Sequence, residues 1–334
     1  MSRLSPQRRL VIGLSLALAV SPVSADTELL NVSYDVTREL YKDINPAFIA
    51  QWQANHHDTL TIHQSHGGSS KQAQSVIAGL EADVVTMNQV PDIDAIAAAG
   101  QLSPQWRSAF PDHAAPYTTT IVFLVRKGNP KGIHDWSDLT RPGLGVIVPN
   151  PKTSGNGRYT YLAAWGYALQ KRGGEAQAKD FERALFRNVP VLDGGGRGAT
   201  TTFAQRGIGD VLVTFENEAS LVREEFGADQ FDIVYPSLSI EAEAPVAVVD
   251  RNVDKHGTRE VAQAYLKYLW TPAGQEIIAR HGLRPRDKAV LRAHAASFPA
   301  IKTFAVEKTL GSWHDVLVRH FGDGGIYDEI VTRQ

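Results

Sequence analysis

Along the chain, short runs rich in β-branched and other apolar residues recur at 29–34, 59–63, 82–86, 119–125, 145–148, 189–192, 210–214, 231–234 and 244–249. Between them lie longer stretches in which apolar residues return every three or four positions, as at 159–169 and 261–269, the spacing that keeps one helix face apolar. Strand-length runs alternating with helix-length stretches predict an α/β architecture. Two runs, 119–125 and 244–249, are approached by proline-containing segments and divide the chain into comparable blocks. They are read as crossings between two lobes: residues 26–117 with 245–334 form the first, residues 118–244 the second, and a cleft lies between them.

The start of the chain does not follow this alternation. Arg3, Arg8 and Arg9 precede an apolar stretch over residues 10–20, and Val23-Ser24-Ala25 puts small residues at −3 and −1 of a cut before Asp26. This predicts a secretory signal peptide over residues 1–25 and an exported mature chain. A buried N-terminal helix would explain the apolar run but not its basic flank and cleavage site. The run is about half the ~20 residues that span a bilayer.

Charge and composition remove several classes. Lys and Arg number 34 against 36 Asp and Glu, and no basic block occurs beyond the first nine residues, so the field that nucleic-acid binding needs is missing. There are no cysteines, which excludes disulfides, thiolate metal sites, a cysteine nucleophile and a lipid-modified cysteine.

The candidate chemistry lies in a repeated grammar: an apolar strand, a Gly/Ser/Asp loop, then a helix whose first N–H groups lack intrahelical partners. It occurs four times. The run 30–34 meets Asp35, suited as N-cap of a following helix. The run 59–64 leads into Ser65-His66-Gly67-Gly68-Ser69-Ser70; 146–148 leads into Asn150-Pro151-Lys152-Thr153-Ser154-Gly155-Asn156-Gly157-Arg158; and 191–193 leads into Gly194-Gly195-Gly196-Arg197-Gly198. A helix N-terminus binds anions through free N–H groups and about half a unit of positive charge, with no cationic side chain required. One such loop is an ordinary turn; four converging on one cleft predict an anion site.

Rival constellations are weaker. Gly194-x-Gly196-x-x-Ala199, with Glu216 about 20 residues on, imitates a dinucleotide fingerprint but sits deep in an exported chain. His56, His57, His63 and His66 are close in sequence, yet a strand puts His63 and His66 on opposite faces. Gly-x-Ser-x-Gly, Walker A and His-Glu-x-x-His patterns are absent, so nothing commits the chain to catalysis or to a cofactor.

The segments 31–41 (NVSYDVTRELY), 64–72 (QSHGGSSKQ), 150–158 (NPKTSGNGR), 195–200 (GGRGAT) and 271–278 (TPAGQEII) resemble the periplasmic sulfate- and thiosulfate-binding proteins of ABC importers. The resemblance covers essentially the whole mature chain. It implies a two-lobed, class II periplasmic binding fold that closes over one tetrahedral oxyanion and delivers it to a membrane permease, as a monomeric receptor and not an enzyme. Receptors for molybdate or phosphate, and an exported oxyanion-dependent enzyme, are the alternatives.

By the same resemblance, backbone N–H groups of Asp35, Ser69, Gly155, Asn156 and Gly196 donate to the anion, and Ser154 donates through its hydroxyl. Arg158 and Arg197 brace the loops through carboxylates such as Asp193 or Glu216, without touching the anion. Two departures stand out: Gly157 where the family has alanine, and Phe215 where its sulfate binders have a tryptophan N–H. Phenylalanine cannot donate there; Phe215 and the segment 85–90 (VTMNQV) look more like the thiosulfate branch. A site of donors only also rejects phosphate, which retains a proton that such a site leaves buried and unpaired, at a cost of ~1–3 kcal/mol.

Overall fold

The computed structural model describes residues 26–56 and 58–332; the expected export segment 1–25 and His57 lie outside the described residues. The described residues form twelve strands: β1 (Thr27–Tyr34), β2 (Leu60–Gly67), β3 (Val84–Thr86), β4 (Tyr117–Arg126), β5 (Val146–Pro149), β6 (Leu192–Asp193), β7 (Val211–Phe215), β8 (Phe231–Val234), β9 (Ser239–Glu243), β10 (Val246–Val248), β11 (Arg284–Pro285) and β12 (Thr303–Phe304). They form two sheets. The first has the order β10-β3-β1-β2; the second has the order β12-β9-β4-β7-β5-β6, with β8 and β11 also pairing with β4.

In the first sheet β1 runs parallel to both β2 and β3, and β10 is antiparallel to β3. Parallel strands are covered by helices on both faces, which is why β1 is buried continuously from Asn31 to Tyr34. The helix Arg38–Asn55 supplies one cover: Leu40, Tyr41, Ile44, Phe48 and Trp52 fall on one buried stripe. In the second sheet β5 lies parallel to β6 and β7, while β4 is antiparallel to β7. The two faces of β4 serve different cores. Ile121, Phe123 and Val125 join the large apolar cluster, whereas Val122 and Leu124 join a smaller one with Ile147, Phe203 and Leu212.

The chain passes between the sheets at two adjacent places. β4 leads into the second sheet, β9 pairs antiparallel with its first half (Thr118 opposite Glu243), and the chain returns to the first sheet as β10. Pro245 lies at that return, its carbonyl accepting from Met87 N–H at 2.9 Å.

Two expectations are corrected. The apolar run 189–192 yields only the two-residue β6, because Val191 and Leu192 lie at a sheet edge, 37% and 40% exposed. β9, β11 and β12 were not expected; β9 alternates in glutamates, Glu241 and Glu243, that pair with Arg286. The expected division puts all of 245–334 in the first lobe; residues after 303 contact both lobes, Glu307 pairing with Arg107 at 2.9 Å and the helix Trp313–Val316 lying on the helix Val90–Ala98, while the rest packs on the second sheet. β12 extends β9, the helix Ile326–Val331 lies on the helix Glu175–Phe186, and Lys152 Nζ binds the Phe321 and Gly322 carbonyls and the Asp328 carboxylate at 2.9, 3.2 and 2.9 Å.

Candidate functional site

Each of the four loops stands where a strand gives way to a helix, and the structure brings them together. At the end of β5, Ser154 caps the 18-residue helix Gly155–Arg172, accepting from Gly157 N–H at 3.3 Å. The first amides of a helix have no intrahelical partner, and here they belong to Gly155 and Asn156. Asn156 is buried and reaches across to Thr214 Oγ1 at 2.9 Å. Its amide also lies against Gly196, where an added Cβ would stand 3.0 Å from Asn156 Nδ2. The third and fourth loops therefore touch.

The first loop meets the fourth. Asp35 opens a short turn, Asp35–Thr37, that packs on the helix Gly196–Thr200. Its expected role as N-cap is not found: Tyr34 occupies that position and no side chain caps the turn. Burial pushes the Asp35 carboxyl up, against the pull of Arg197 and of the amides of Val36 and Asp35 itself.

The second loop meets the third. Ser69 begins the helix Ser69–Ile77 with its hydroxyl committed, donating to Asp92 Oδ2 at 2.5 Å and accepting from Asn88 N–H at 3.1 Å. Ser70 donates to Asp92 Oδ1 at 2.8 Å and receives the Arg158 guanidinium at 3.2 Å. Gln89 Nε2 completes the cluster, 2.9 Å from Asp92 Oδ2. Arg158 is tied by its own loop as well, donating to the Pro151 carbonyl at 3.1 Å.

Phe215, at the end of β7, is buried with its ring 5.8 Å from that of Tyr159. Gly157 is required by its neighbours, since an added Cβ would come within 2.4 Å of the Pro149 carbonyl oxygen. The bracing partners differ from expectation. Arg197 faces Glu218 at 3.6 Å, while Glu216 is held by Arg284 through both carboxylate oxygens at 2.6 and 2.7 Å. Asp193 accepts from Thr202 at 3.1 Å. With Glu216 so occupied, the dinucleotide-like reading loses its ribose acceptor. His63 and His66 go separate ways, to Glu28 at 3.5 Å and to Ser33 Oγ at 2.7 Å.

Residues 29–284 match the family model for bacterial extracellular solute-binding proteins. The chain is 56% identical to the thiosulfate-binding protein of Pseudomonas aeruginosa, covering 99% of both chains. The chain belongs to this family. It is also 55% identical to the sulfate-binding protein of Escherichia coli, over 96% of this chain and 98% of that one. The sulfate-binding protein SubI from Mycobacterium tuberculosis superposes with a TM-score of 0.78 at 33% identity, over 87% of this chain and 98% of that chain. The fold is the two-lobed fold of periplasmic binding proteins.

For a solute-binding protein of this family, the polar residues that motif reading missed carry much of the site's construction. Asp92 has no local motif; its signal is an acid at the third position of the helix Val90–Ala98, where the helix dipole favours it. Glu218 is fully buried without a hydrogen bond, beside Arg197. Burial, with Asp35 and Glu225 adding and Arg197 opposing, pushes it up to about 7.

Proposed function

We propose that this chain is an exported receptor that captures sulfate or thiosulfate between its lobes and delivers it to the membrane permease of an ABC importer, with no catalytic step of its own. Its relatives are binding proteins named for those two ions. The observation that carries the reading is the meeting of all four strand-to-helix loops: Asp35 with Gly196 and Arg197, Gly196 with Asn156, and Ser70 with Arg158.

On this reading the anion accepts from the amides of Asp35, Ser69, Gly155, Asn156 and Gly196, and from the Ser154 hydroxyl. Ser154 accepts from Gly157 as the helix cap, which leaves its own proton to donate. Arg158 and Arg197 stay behind the donors: one braces Ser70, the other neutralises Glu218. The lobes we propose are 26–117 with the segment following 245, and 118–244 with residues 303–332 added for their packing on the second sheet. Closure bends the chain at β4 and at the link between β9 and β10, and the closed surface is what the permease reads.

The test is thermal unfolding of the mature, anion-free protein in chloride buffer with sulfate, thiosulfate, phosphate or molybdate added. An ion at 1,000 times its dissociation constant stabilises the fold by ~4 kcal/mol, a shift of several degrees. Sulfate and thiosulfate are expected to stabilise and phosphate not to; a phosphate shift equal to that of sulfate overturns the donor-only site. Ser154→Gly keeps most of the cap and removes the hydroxyl, so it is expected to weaken binding by ~1–3 kcal/mol while costing only a few tenths in stability. An unchanged dissociation constant removes Ser154 from the site.

A further inference from the structure

Asn88 follows β3 and stands opposite the start of the helix Gly155–Arg172. A Cβ built on Gly155 would lie 2.2 Å from Asn88 Oδ1 and 2.7 Å from its Nδ2, so the carboxamide rests directly on the first residue of that helix. The Asn88 backbone is fixed from the other side, its N–H donating to Ser69 Oγ at 3.1 Å. The residue is only 8% exposed, and Oδ1 is buried without a hydrogen-bond partner. No hydrogen bond of Nδ2 is found among the described residues either, whereas the adjoining Gln89 Nε2 holds Asp92 and Ser70.

Only the oxygen end of this carboxamide is buried without a partner; Nδ2, unpaired and not enclosed, is left free to donate to a ligand in the cleft. Packing alone is a poor reason for it, since an alanine or leucine fills space without a desolvation cost. The helix N-terminus beneath it attracts negative charge, and the amide places two unpaired N–H groups beside it.

We infer that Asn88 is a direct ligand of the bound oxyanion, donating through Nδ2 from the lobe opposite the helix Gly155–Arg172. The inference rests on the function proposed above and adds a side-chain donor to a site otherwise built from backbone amides and one hydroxyl. It also addresses Phe215, whose ring offers no N–H: Asn88 supplies a side-chain donor that Phe215 does not. With Nδ2 donating to the anion, Oδ1 keeps its enclosed place against Gly155. Gly155 is then needed for a second reason, because any side chain there would displace the Asn88 amide.

The experiment is calorimetric titration of wild type, Asn88→Ala and Asn88→Leu with sulfate and with thiosulfate, together with melting of each protein without anion. Both variants are expected to bind each ion 10- to 100-fold more weakly. Their anion-free melting temperatures are expected to equal or exceed that of wild type, because no hydrogen bond within the protein is lost. Leucine has the branching and heavy-atom number of asparagine without its donors, so an Asn88→Leu affinity equal to wild type overturns the inference, as does a loss of affinity that merely tracks a lower melting temperature. If wild type itself binds neither ion, the proposed function fails, and the variants are not the cause.

Discussion

Two buried carboxylates flank the loops of the cleft, and they are built in opposite ways. Asp92, beside the second and third loops, accepts from Ser69, Ser70 and Gln89, with Arg158 joined to the same cluster through Ser70. Glu218, beside the first and fourth loops, accepts no hydrogen bond among the described residues and faces Arg197 at 3.6 Å. Burial pushes both carboxyls up from their ordinary values. One is a hub that orients two serines and a helix start; the other is a charge left nearly bare. A buried polar group costs little when its bonds are complete and much when they are not. The Asp92 side of the cleft is therefore the rigid side, and the Glu218 side is the one whose carboxyl is pushed up to about 7.

The largest effect should come from breaking the hub. Asp92→Ala strands two hydroxyls and an amide in a closed space, and we expect a loss of about 4 kcal/mol in unfolding free energy. Denaturant titration at neutral pH measures it. A loss under about 1 kcal/mol would mean that the serines find other partners and that the hub does not set the Ser69 helix start.

The next effect concerns pH. Glu218 is raised from 4.5 to about 7 in the folded protein, so the folded state holds the proton more tightly than the unfolded one. Its contribution to stability is full below pH 4.5 and is lost as pH rises through about 7, a total of about 3 kcal/mol. Glu218→Gln mimics the protonated form at every pH. The variant should lose this part of the pH dependence and be more stable than wild type at pH 8. Parallel stability curves that differ by a constant would remove Glu218 as the titrating group.

These partners show where sequence reading stops. The four loops were legible because a strand, a glycine- or serine-rich turn and a helix start are neighbours in sequence, and the local pattern states all three. Gly155 and Ser154 fall where that pattern puts them. Asp92 pairs with residues about twenty positions away and Glu218 with one twenty-one away on another element, and nothing in local periodicity chooses such partners. Reading Asp35 as a cap failed for a related reason: Asp35 already lies inside the turn, and Arg197 and Glu218 surround its carboxyl from distant segments. The packing of residues 303–332 on the second sheet was likewise invisible, since it depends on Lys152 reaching carbonyls about 170 positions later.

The two arginines extend the comparison to smaller effects. Arg158 bonds the Pro151 carbonyl and Ser70 Oγ, and its guanidinium lies 5.9 Å from the Phe321 ring centroid. Arg158→Ala should cost about 2 kcal/mol in stability, through lost hydrogen bonds and packing. Chemical denaturation checks it, and a neutral result would detach the second loop from the third.

Arg197→Ala should cost the least, although it removes a cation facing a buried acid. Arg197 is about one-third exposed, and the pair is separated by 3.6 Å, so solvent screens much of the attraction. Glu218 also has an escape that Asp92 lacks: with no hydrogen bonds to lose, it can take up a proton and become neutral. We therefore expect at most about 1 kcal/mol of destabilisation at pH 6, where the carboxyl is already largely protonated. The informative readout is the Glu218 titration midpoint, followed by carboxyl-carbon NMR or by the pH dependence of stability. Without the guanidinium, Asp35, Glu225 and burial act unopposed, and the midpoint must move above 7. A midpoint that stays in place would show that Arg197 does not set the charge state of Glu218, and the contrast between the two sides of the cleft would then rest on burial alone.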